Sequence, residues 1–65
     1  MTARIRAKLT ALALYVAEEI ELLALHLIRT GSEAGDRRRE ARGDGMLEAA
    51  ATLRRRFSLP RKGER

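Results

Sequence analysis

Glu18, Glu19 and Glu21 gather three carboxylates within four residues, and His26 follows little more than one helical turn after Glu21. Carboxylates and imidazole projected from a helix are the ligands of di-iron and di-manganese bundles, but such a helix carries a Glu-x-x-His pair. Three residues before His26 stands Leu23, so the pair is absent. One histidine and no cysteine cannot supply a structural zinc site either. Catalysis needs a nucleophile, base or metal held in a pocket, and the chain offers few candidates. The glutamates are read as solvated or salt-bridged, and His26 as a surface or packed histidine. No catalytic residue, metal or cofactor is expected, and the chain is not expected to be an enzyme.

Two arginine triplets, Arg37–Arg39 and Arg54–Arg56, are the other candidates for chemistry, because clustered arginine is the electrostatic footprint of nucleic-acid binding. Arg37, Arg38, Arg39, Arg42, Arg54, Arg55 and Arg56 would be the phosphate contacts. Three consecutive residues sweep about 200° of a helix, so a triplet rings its helix instead of lining one face. Tyr15 and Phe57 are the only aromatics, too few for a base-stacking platform. Two short matches carry little weight. Arg42-Gly43-Asp44 spells an adhesion tripeptide within a stretch already rich in those residues. Arg55-Arg56-Phe57-Ser58 resembles a kinase site whose Phe57 the apolar pattern requires.

The elements that must position these residues are helices. Ala, Leu, Glu and Arg dominate, and aromatics and β-branched residues are few, which gives an all-α class. A chain of 65 residues forms one small domain and buries only about 60% of its unfolded surface. Without a disulfide or metal to staple it, the missing burial is expected from a second chain. Charge divides the sequence. Residues 1–28 are neutral and apolar, whereas residues 29–65 carry the whole net charge of +5.

Within the apolar half, Ile5, Leu9, Leu12, Val16, Ile20, Leu23 and Leu27 recur at steps of 4, 3, 4, 4, 3 and 4, one stripe of a helix expected over residues 3–29. These seven are read as an oligomer seam. Ala13, Ala17 and Ala24 flank it, where small residues would let a neighbouring helix approach closely. Gly31 is expected to stop this helix and Ser32 to cap the next segment. Residues 30–45 are then a polar Gly/Arg-rich connection or a short charged helix, with Gly43-Asp44-Gly45 as a break or kink. Asp44 would cap a final helix over 45–58, with Met46, Ala50, Leu53 and Phe57 on one face. Pro60 forces an end before it, and residues 59–65 form a basic tail.

These pieces assemble most simply as a helical hairpin that pairs with a second copy into a homodimeric helical bundle. In layout this resembles the Rop family of plasmid copy-number regulators, chains of this size that dimerise as hairpins into four-helix bundles. The resemblance implies a fold only. No RNA-binding residue carries over, and the Gly-rich stretch departs from an unbroken second helix.

A second stripe, Lys8, Tyr15, Glu19, Leu22 and His26, is read as running opposite the first on the same helix, with Leu14 and Leu25 beside it. A helix apolar on more than one side is covered on more than one side. Tyr15, Glu19, Leu22 and His26 are therefore read as a partner-binding surface. The function expected is that of a small non-enzymatic regulator or inhibitor, of the kind phages and plasmids encode, acting on a larger host protein. An Arg-rich RNA- or DNA-binding regulator is the alternative. Arg4, Arg6 and Lys8 before an apolar run imitate a secretory leader, but the stripe continues past Glu21 and Tyr15 would occupy the −3 position of an Ala17 cut. Three glutamates also oppose a membrane span. The expected location is the cytoplasm.

Overall fold

A computed structural model of the chain describes residues 2–60 as two antiparallel helices, α1 (Ala3–Ala34) and α2 (Arg37–Arg56), with no strand among the described residues. The result is a rod, 48 × 21 × 14 Å, with a radius of gyration of 14.0 Å. A compact domain of this length would have about 11 Å.

Thr2 opens α1, its hydroxyl oxygen accepting from the Ile5 N–H at 3.3 Å. The helix then runs past the expected end at residue 29 and through Gly31. Its stop is Gly35, in the left-handed region at φ 68°. There the Asp36 N–H donates to the Gly31 carbonyl at 2.7 Å and the Gly35 N–H to Ser32 at 3.2 Å, which closes the last turn as a Schellman motif. Asp36, not Ser32, caps the next helix, accepting from the Arg39 N–H at 3.1 Å. Only Gly35 and Asp36 link the helices, so of the two readings of residues 30–45 the polar connection fails, and the charged helical segment is found divided between the end of α1 and the start of α2.

Residues 37–45 belong to α2, which passes through Gly43-Asp44-Gly45 without a break; Asp44 is an interior residue and caps nothing. Gly31 and Gly43, two of the glycines expected to interrupt helices, serve close packing instead. A Cβ at Gly31 would sit 2.8 Å from the Glu40 nitrogen, and one at Gly43 would sit 2.6 Å from Ile28 Cγ1 and 2.7 Å from the Ala24 carbonyl oxygen. Gly45 faces open space.

The core between the helices is made of small residues. Ala13, Ala17, Ala24 and Gly31 on α1, and Gly43 and Ala50 on α2, are buried, with Ala17, Ala24 and Ala50 at 0% exposure. Beyond α2, Ser58 at φ 52° turns the chain so that Leu59 folds back onto Ala13 and Ala17. The supposed tail therefore begins with a core residue; its basic part, from Arg61 on, lies outside the described residues.

α2 lies against the alanine flank, and the stripe points roughly a quarter turn away. Met46 and Leu53 are half-buried beside the contact, while Phe57 is exposed.

Candidate protein-binding surfaces

Because alanine and glycine take the interior, the large side chains are left outside. Ile5, Leu9, Leu12, Val16 and Leu23 are exposed, from 37% at Val16 to 58% at Leu12, and Ile20 and Leu27 are half-buried. α2 extends this face. Leu9 and Phe57 line one shallow depression with Arg6, Thr10, Arg56 and Ser58, which places Phe57 on the stripe's side of the hairpin. Leu53 and Met46 precede Phe57 by one and three helical turns and share its side.

The second surface, expected at Tyr15, Glu19, Leu22 and His26, is exposed throughout, with Tyr15 at 61% and Leu22 at 59%. It adjoins the first instead of lying opposite it. Glu19 and Leu22 share a depression with Ile20 and Leu23 of the stripe, and Leu22 and His26 share another with Leu25, Ile28 and Arg29. Only the side of α1 toward α2 is shielded.

The arginines divide. Arg37, Arg38, Arg39 and Arg42 are exposed beside the hairpin turn. Arg55 and Arg56 are exposed near the far end of α2, where Arg55 donates to the Thr52 hydroxyl at 3.1 Å. Arg54 is buried. Its Nε and Nη2 donate to Glu21 Oε2 and Oε1, each at 2.7 Å, and Nη1 donates to the Pro60 carbonyl. The hydrogen bond and charge of Glu21 hold the guanidinium above its already high ordinary pKa, against an opposing effect of burial. Arg54 therefore belongs to the fold, and Glu21 is the salt-bridged member of the acidic trio. Among the described residues no three Asp, Glu or His side chains come together to hold a metal ion, and no helix is long and apolar enough to cross a membrane.

No family model, curated protein or solved structure matches the chain.

Proposed function

We propose that the protein is a small non-enzymatic regulator that acts by protein–protein binding through the apolar faces of α1, with the stripe serving self-association and the Tyr15 face a larger partner protein. The observation that carries this is the inversion of burial: eight large hydrophobic side chains of α1 are exposed while alanines fill the interior. A soluble monomer seldom leaves so much contiguous apolar surface uncovered. Tyr15 is well suited as an anchor, since aromatic side chains dominate binding hot spots.

The test is a double variant, Tyr15→Ala with Leu22→Ser. Both side chains are exposed, so helicity, melting point and self-association should hardly change, as surface substitutions shift stability by about 0.5 kcal/mol or less. Loss of an anchor costs about 2 kcal/mol of binding, roughly thirtyfold. Recovery of the partner from the native host's lysate should therefore fail. A variant that melts much earlier or loses its oligomeric state would assign these residues to self-association and end the two-face reading.

One observation favours nucleic acid as a second reading. Arg37, Arg38 and Arg39 occupy the first turn of α2, where the helix dipole disfavours cations, so helix stability does not account for them. Together with Arg42 they would engage about four phosphates and give a slope near −3.6 in log affinity against log salt on duplex DNA. Affinity insensitive to salt, or unchanged after all four are replaced by Gln, would dismiss it.

A further inference from the structure

We infer that the aliphatic face is covered by a second copy of the chain, seated so that the two α1 helices run antiparallel across a two-fold axis at Val16. This rests on the reading of α1 as a binding helix and names the occupant of its stripe.

The stripe is symmetric in its spacing. Its steps of 4, 3, 4, 4, 3 and 4 read the same in both directions, with Val16 at the centre. An isologous contact requires residue i to meet residue j while j meets i. Reversing the stripe about Val16 sets Ile5 against the partner's Leu27, Leu9 against the partner's Leu23 and Leu12 against the partner's Ile20. Every layer pairs two branched aliphatics, and Val16 meets the partner's Val16.

α2 shares the same centre. Its register against α1 is fixed where Gly31 abuts Glu40 and Gly43 abuts Ile28. Continued along both helices, that register brings Arg55 level with Val16. Leu53 and Phe57 lie two residues to either side of Arg55. The same axis therefore exchanges Leu53 and Phe57 for the partner's Phe57 and Leu53, and one rotation closes both helices' apolar surfaces.

Surface area is consistent with this contact. The chain exposes 5396 Å², against about 4,200 Å² for a folded monomer of its 7.3 kDa mass. The excess, about 1,200 Å², belongs to the whole rod, whose elongated shape leaves room for a contact of the size homodimers bury.

The absence of native cysteine makes the geometry testable by crosslinking. A disulfide needs Cα atoms about 4.4–6.8 Å apart, which a residue on the axis can reach. Under mild oxidation Val16→Cys alone should form a covalent dimer. Leu9→Cys and Leu23→Cys should link when mixed and not separately, and Leu25→Cys, away from the face, should not link. Failure of Val16→Cys to link with itself, while a mixture of Val16→Cys and Leu53→Cys does link, would replace this packing by one of α1 on the partner's α2. Sedimentation as a monomer at micromolar concentration would remove the dimer altogether. Capture of a protein through Tyr15 and Leu22 by such a monomer would leave the regulator reading standing.

Discussion

Arg54 and Glu21, on different helices and 33 residues apart in sequence, form a two-pronged ion pair with both N–O distances at 2.7 Å. Only 9% of the Arg54 side chain and 12% of the Glu21 side chain are exposed. Removing one member of such a pair strands the other. Glu21→Ala should cost about 3 kcal/mol in urea unfolding, and Glu21→Leu with Arg54→Met should recover most of it, because a buried ion pair often gains little over an apolar pair of similar volume. Equal losses in the single and double variants would mean that the pair is better than its apolar replacement.

The same pair has a predictable pH signature on the alkaline side. Because the pKa of Arg54 is raised on folding, its contribution is complete below the unfolded value and disappears only as pH climbs through the folded one. Both lie beyond the range of ordinary buffers. Chemical denaturation of wild type and Arg54→Met should therefore differ by the same amount at neutral pH and at pH 10. A difference that shrinks over that interval would contradict the assignment.

Gly43 and Gly45 should respond oppositely to alanine. Gly45 faces open space within a helix, so Gly45→Ala should stabilise by about 1 kcal/mol. At Gly43 the new methyl would meet the backbone of α1, and the same substitution should lower the melting temperature. A thermal melt of each variant decides it; stabilisation by both would show that the helices are not in close contact at Gly43.

Ser58 holds a left-handed conformation at φ 52°, which glycine adopts at less cost. Its N–H and that of Leu59 donate to Arg55 and Arg54, the pattern of a Schellman end. Ser58→Gly should stabilise by about 1 kcal/mol, while Leu59→Ala, which empties the site over Ala13 and Ala17, should destabilise. An unchanged melt for Leu59→Ala would show that the return of the chain contributes nothing.

Leu12→Asp separates the hairpin from its assembly. At 58% exposure the substitution should be tolerated by an isolated hairpin, but in the stripe it would bury an unpaired charge. The wild-type melting point should rise with protein concentration and that of Leu12→Asp should not. Identical melts at every concentration would argue that the stripe is never covered by another copy.

The all-α class, the hairpin, the start of α1 and the end of α2 before Pro60 were legible, because they arise from composition, 3.6-residue periodicity and local stop signals. The alanine flank was visible too, but its precedence over the aliphatic stripe was not. Periodicity shows which residues share a side of a helix and says nothing of which side meets the next segment. Gly31 and Gly43 misled for a related reason. A glycine ends a helix by conformation or admits another backbone by its missing Cβ, and the two uses look alike until the neighbour is known. The pairing of Glu21 with Arg54 had no local signal, and removes one expected phosphate contact.

Asp36 does two jobs in the link: its N–H finishes α1 on the Gly31 carbonyl, and its carboxylate starts α2 on the Arg39 N–H. A turn built this way has no slack. Inserting a single residue into α2 before Gly43 would rotate everything after it by about 100° and carry Gly43 away from the notch it occupies against Ile28. The two helices are thus geared to one another, and the angle at which the apolar edge of α2 joins the stripe of α1 is set at the hairpin bend.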